Sequence, residues 1–202
     1  MSLVRLTVCA LALLALSAPP LAAATLASKK VETERITVEP ATVPNPTPNV
    51  EIHKGLEGLP PKVAETRRRI LDAAYSGDLD KLKSVIQQNE LPPIFSVNEI
   101  TDPIDYLKTQ SGDGEGLEIL AIMTQLLEAG WAHVDAGTPK EMYIWPYFAS
   151  IPVDKLEHAQ MVELYKIITS ADFDEMRSTG KYSFYTFGIG ADGTWHYFKL
   201  ND

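Results

Sequence analysis

The stretch YSFYTFGIGADGTWHYFKL, residues 182 to 200, decides the fold class. Aromatic and β-branched residues alternate with small or polar ones on both sides of Asp192-Gly193. That pattern predicts two strands joined by a tight turn, a C-terminal β-hairpin. Strict alternation predicts that Trp195 and Tyr197 share one face, with His196 and Phe198 on the other. Upstream the periodicity changes to the helical one. The expected class is therefore α+β, mostly α: a single helical domain ending in a β-hairpin.

The helices follow from their punctuation. Pro60-Pro61 opens a first helix that runs to about Tyr75, with Gly77 as its stop. Asp78 caps a second, with Leu79, Leu82, Val85 and Ile86 at helical spacing. A short helix is expected after Asp102-Pro103. LEILAIMTQLLEAG, from Leu117, is hydrophobic nearly all round and reads as the central buried helix, with Leu117, Leu120, Ala121, Met123, Thr124 and Leu127 as its broad face. Met161, Leu164, Tyr165 and Ile168 form a stripe on another, and Ser170 caps a last one that stops at Gly180. Pro146 argues against a regular central strand in MYIWPYF.

ILDAAYSGDLDKLKSVIQ resembles an ankyrin-repeat helix pair. The T-P-L-H opening is absent, and no second copy follows at a period of roughly 33 residues. A lone helical hairpin is what remains.

The N-terminus carries an address. Arg5 precedes an apolar run from Leu6 to about Leu16, followed by Ala22-Ala23-Ala24. That order is the signature of a secretory signal peptide cleaved near Ala24, so 1–24 is assigned to it. The run falls short of the roughly 20 apolar residues of a membrane span, and no integral span is expected in the mature chain. Cys9 is the only cysteine, so the mature chain holds no disulfide, thiol nucleophile or cysteine metal site. A periplasmic or secreted location follows. Residues 25–60 contain Pro40, Pro44, Pro46 and Pro48 and read as a disordered, proline-rich linker. Residues 61–202 then form one globular domain of ordinary size.

The chain carries a formal net charge of −9 at pH 7. Such a chain is a poor ligand for nucleic acid through bulk charge. Arg67, Arg68 and Arg69 point about 100° apart on a helix and make no single basic patch. Asp113-Gly-Glu-Gly begins like a calcium loop, but its twelfth position is Thr124, where a bidentate Glu is required. No Walker A, G-x-S-x-G, H-E-x-x-H or G-x-G-x-x-G string occurs. No cofactor, no metal site and no catalytic residue set is therefore assigned.

The aromatic clusters are the candidate binding residues: Tyr143, Trp145 and Tyr147 in MYIWPYF, and Trp195 and Tyr197 in the hairpin. Exposed, they would take a peptide or stack on sugar rings. Buried, they would close the core. YIWPYFA and DGTWHYF also resemble strings of a family of uncharacterised exported bacterial proteins, over roughly Met142 to Phe198. The resemblance implies an envelope address and a single domain, and no reaction.

The leading expectation is an exported, non-catalytic binding or interaction domain whose partner is an envelope protein or cell-wall glycan. One alternative is a cell-envelope hydrolase using Asp135, Glu141 or Asp154 with His133 or His196. Another is a structural envelope assembly or stress factor.

Overall fold

In a computed structural model, residues 50–201 are described. The expected signal peptide and most of the expected linker lie outside them. Their elements are β1 (Val50–His53), α1 (Pro61–Tyr75), α2 (Leu79–Ile86), α3 (Pro103–Gln110), α4 (Leu117–Glu128), β2 (Trp131–Val134), β3 (Met142–Trp145), α5 (His158–Leu164), α6 (Ser170–Thr179), β4 (Tyr185–Gly190) and β5 (Trp195–Leu200). Short 3-10 turns at Tyr147–Ser150 and Val153–Lys155 join β3 to α5.

The strands form one antiparallel sheet in the order β1-β2-β3-β4-β5. This corrects the expectation of a helical domain with a lone C-terminal hairpin. The hairpin exists, but it supplies only β4 and β5. Three strands were hidden for physical reasons. β1 lies inside the stretch assigned to the linker, so the ordered fold begins ahead of the expected boundary at 61. β2 and β3 have four residues each, too few for alternation to stand out. Pro146 does not break a strand. It sits just past the end of β3, which is central to the sheet.

Alternation sends successive side chains to opposite sides of the sheet. On one side a row of rings crosses every strand: His53 opposite Trp131, Trp145 opposite Phe187, and Phe187 opposite Phe198. His53 stacks on Trp131 at 4.3 Å, Trp131 meets Trp145 at 6.1 Å, and Phe187 meets Phe198 at 4.7 Å between centroids. Helices α1 and α4 add their apolar faces to the same core. α1 buries Val63, Ile70 and Ala74, and α4 buries Ile119, Leu120, Met123, Leu126 and Leu127. The buried stripe of α4 differs from the expected one, since Leu117 is 48% exposed while Ile119 and Leu126 are fully covered. α1 and α4 pack on each other and both reach β4.

Helix ends match their chemistry. Asp78 accepts the N–H of Asp80 at the start of α2, and Asp102 accepts from Ile104 and Asp105 at the start of α3. α6 is capped by Thr169 rather than Ser170, in a reciprocal pairing with Asp172. Before α4, the Asp113 carboxylate accepts the Ser111 hydroxyl at 2.5 Å and the N–H groups of Glu115, Gly116 and Leu117 at 3.1, 2.9 and 3.0 Å. These donors, the Ser111 hydroxyl first, hold its carboxyl down to about 2.

The β4–β5 turn is locked to α1. Thr66 Oγ1 donates to the Gly193 carbonyl at 2.7 Å. Gly193 has φ +89°, and a Cβ there would lie 2.9 Å from Lys62 Cβ and 3.0 Å from Lys62 O. Both conformation and space therefore require glycine.

Two outcomes follow. Gly193→Ala should lower stability by roughly 1–3 kcal/mol, the cost of a strained backbone, read as a shift in the thermal midpoint. Asp113 has a folded pKa below its unfolded value. Its contribution is present above the unfolded value near 4 and is lost as pH falls toward 2. Asp113→Asn should flatten the loss of stability between pH 4 and 2 in urea titrations; an unchanged slope would remove Asp113 from this role.

Candidate functional site

A cleft of about 700 Å³ opens on the side of the sheet opposite the ring row. Its floor comes from Val50 of β1 and Val134 of β2, which pair directly. One wall is Ala149, Ser150, Ile151 and Pro152, from the chain that leaves β3. Another is the C-terminal end of α6, with Thr179, Gly180, Lys181 and Tyr182. Asp135, Asp154 and Asn201 complete the rim.

Local structure explains why these segments meet. Gly180 takes the left-handed conformation that ends α6, and its carbonyl accepts the Val153 N–H at 3.1 Å. Asn201 Nδ2 donates to the Tyr182 carbonyl at 2.7 Å, and the Tyr182 hydroxyl donates to the Tyr185 carbonyl at 3.0 Å. Tyr182 is buried, which pushes its phenol far above the ordinary value. Asp135 has φ 54° at the start of the β2–β3 turn, a conformation that aspartate tolerates better than most residues. Ser150 Oγ is buried and has no hydrogen-bond partner among the described residues. The cleft thus has an apolar floor, rim charges of both signs and no lining histidine or cysteine.

A second group occupies the ring-row side. His133 Nε2 and Glu141 Oε1 are 2.9 Å apart. Glu141 also accepts the Gly137 N–H at 3.0 Å and the Tyr143 hydroxyl at 3.2 Å. The Gly137 N–H, then His133, hold the Glu141 carboxyl below the usual range. Burial, then Glu141, pushes the Tyr143 phenol up to about 12. His133 stacks on Tyr143 at 4.5 Å, and its Nδ1 is 3.8 Å from Glu51 Oε2. That oxygen is 3.7 Å from His53 Nε2.

The five aromatic candidates do not form a surface. Trp145, Tyr147, Trp195 and Tyr143 are 0%, 1%, 1% and 3% exposed. Tyr197 is half-buried, with its ring packed over Gly188, where a Cβ would collide with Tyr197 Cε1. Burial pushes its phenol up to about 12, opposed by a hydrogen bond with the Thr186 side chain. The strict alternation expected in β5 also fails. A register shift between Gly188 and Ile189 puts Trp195 opposite Ile189 and Phe198 opposite Phe187, so both enter the core, and Tyr197 turns the other way.

The hydrolase candidates are divided. His133 and Glu141 touch each other on one side of the sheet, while Asp135 and Asp154 line the cleft on the other. His196 lies beside Gly190 at the β4–β5 turn, where it helps lower the Asp192 carboxyl behind the Thr194 N–H. Among the described residues no group of three His, Cys, Asp or Glu side chains is placed to hold a metal ion, and no helix is long and apolar enough to cross a membrane.

Glu163 was not singled out from sequence. It accepts Lys54 Nζ at 2.7 Å, the Gly130 N–H at 3.3 Å and the Tyr147 hydroxyl at 3.3 Å. One carboxylate on α5 thereby ties the turn after β1 to the start of β2 and the end of β3. Burial, then Glu163, drives the Tyr147 phenol well above its ordinary value. No local motif announces such a residue, because its partners are distant in sequence.

No family model, curated protein or solved structure matches the chain.

Burial of the aromatic candidates sets a clear expectation. Trp145→Ala and Trp195→Ala should each cost about 3–5 kcal/mol, a large share of a domain's stability. Circular dichroism and denaturant midpoints should show it; native-like midpoints would return these rings to the surface.

Proposed function

We propose that this chain is an exported, non-catalytic binding domain that holds an extended peptide segment of an envelope protein in the cleft above β1 and β2. The observation that carries the reading is the cleft itself: about 700 Å³, apolar along Val50, Val134, Ile151 and Pro152, with Asp135, Asp154 and Lys181 around it. Ligand sites combine an apolar surface with a few oriented polar groups in this way. The signal-peptide pattern and the resemblance of YIWPYFA and DGTWHYF to exported proteins support the envelope address.

A peptide is preferred over a cell-wall glycan. Sugar recognition uses exposed rings as stacking platforms. Here Trp145, Trp195, Tyr143 and Tyr147 are spent on the core, and the one ring in the cleft wall, Tyr182, is 2% exposed. An apolar floor with charges of both signs suits a chain segment that carries side chains of mixed character. The hydrolase alternative has one observation behind it, the 2.9 Å contact of His133 and Glu141. Those two residues face away from the cleft, and the carboxylates Asp135 and Asp154 are on its side of the sheet. The structural-factor alternative gains nothing specific from the geometry.

Site-specific photocrosslinking tests the reading. A photoreactive residue replacing Asp135 or Lys181, in cells that export the full chain, should give one dominant protein adduct. The same residue at Val162, which is 64% exposed on α5 and outside the cleft, should not. In parallel the purified chain should neither pellet with peptidoglycan sacculi nor release soluble fragments from them. Equal adducts from all positions, or fragment release, would sink the proposal, and release would point to His133 and Glu141.

A further inference from the structure

The two edges of the sheet are treated differently. At the β5 edge, Ile94 N–H donates to the His196 carbonyl at 2.8 Å and Phe198 N–H donates to the Ile94 carbonyl at 3.0 Å. Ile94 thus forms a parallel bridge with Tyr197 and covers that edge. Pro92 and Pro93, which have no N–H, stand beside it and deter any further strand. At the β1 edge, no backbone group among the described residues bonds to the side of β1 away from β2. Ile52 is 42% exposed there, an apolar side chain on an open strand edge.

We propose that β1 pairs antiparallel with β1 of a second copy of this chain, about a two-fold axis at Ile52, joining two five-stranded sheets into one. The occupant is argued from the strand's own residues. A two-fold between antiparallel strands places one residue opposite itself and sets its neighbours in reciprocal pairs. With the axis at Ile52, the two Ile52 side chains meet, and Glu51 of each copy faces His53 of the other. Val50 then faces Lys54 of the second copy. Moving the axis one step to Glu51 sets two carboxylates against each other, and moving it to His53 sets two imidazoles against each other. Two carboxylates directly opposite are unfavourable, whereas a carboxylate opposite an imidazole can accept its N–H. Only the Ile52 register combines an apolar contact with two complementary pairs.

The Glu51 and His53 side chains are available for this. Glu51 Oε2 lies 3.7 Å from its own His53 Nε2, so acid and imidazole already share the open edge, with side-chain exposures of 53% and 35%. The axis is perpendicular to the sheet, so both clefts open on the same side of the joined sheet. Val50, which floors each cleft, lies at the join, so pairing would bring the two clefts side by side.

Light scattering on the purified chain, over a concentration series, measures the state directly. The monomer mass should give way to twice that mass as concentration rises. Ile52→Lys puts two ammonium groups on the axis and should weaken association by about tenfold or more. Circular dichroism checks that this exposed substitution leaves the fold intact. Register is tested by cysteines in a Cys9→Ser background, where no other cysteine exists. Ile52→Cys should form an oxidised covalent dimer, because its counterpart lies directly opposite. Glu51→Cys should not, because its counterpart is displaced beyond disulfide reach. A monomer at every concentration, an Ile52→Lys chain that associates as before, or equal crosslinking from both positions would overturn the proposal.

Discussion

A row of aromatic rings running across all five strands, His53, Trp131, Trp145, Phe187 and Phe198, is the constraint on which the rest of this structure depends. Short strands make few backbone bonds, and two- to four-residue ladders are weak without side-chain contacts across them. β1, β2 and β3 have four residues each. The rings supply what the ladder lacks. Tilted, stacked and edge-on contacts between 4.1 and 6.5 Å recur through the core and add to the gain from burying apolar area. The donors on these rings are handled unevenly: Trp131 Nε1 donates to the Gly55 carbonyl and Trp195 Nε1 to the Tyr197 carbonyl, while Trp145 Nε1 has no partner among the described residues.

Because the rings are committed to one side, the other side of the sheet is free to be shaped. There the chain after β3 and the end of α6 rise above Val50 and Val134 without filling the space between. Glu163 helps set that arrangement by bonding to Lys54, Gly130 and Tyr147 at once. The His133–Glu141 pair performs a similar service on the ring side. Glu141 closes the β2–β3 loop through the Gly137 N–H while His133 leans on Tyr143. Two carboxylates thus fix the loops at either end of β2 and β3, and the cleft inherits its shape from them.

Much of the helical part could be read directly. α1, α2 and α3 begin at the residues that Pro61, Asp78 and Asp102 announce, because caps and proline act locally. The β4–β5 hairpin was equally plain. The other strands were not, because their partners are remote. VEIH pairs with WAHV only after four helices intervene, and nothing within four residues reveals that. MYIWPYF was read as a possible surface because aromatic residues serve cores and binding sites alike. What separates the two is the neighbour across the sheet, which a linear reading does not hold. The cleft escaped notice for the same reason: its lining comes from both ends of the fold. The side exchange between Tyr197 and Phe198 rests on a one-residue register shift that no composition signals.

The place of β1 in the chain has a temporal consequence. His53 pairs with Trp131, so the first strand must wait for all of α1 to α4 before it has a partner. Closing so long a loop is paid for before the sheet rewards it, and such non-local pairing slows the last step of folding. The strand that closes one edge of the sheet is thus the first described element in the chain and among the last to find its partner.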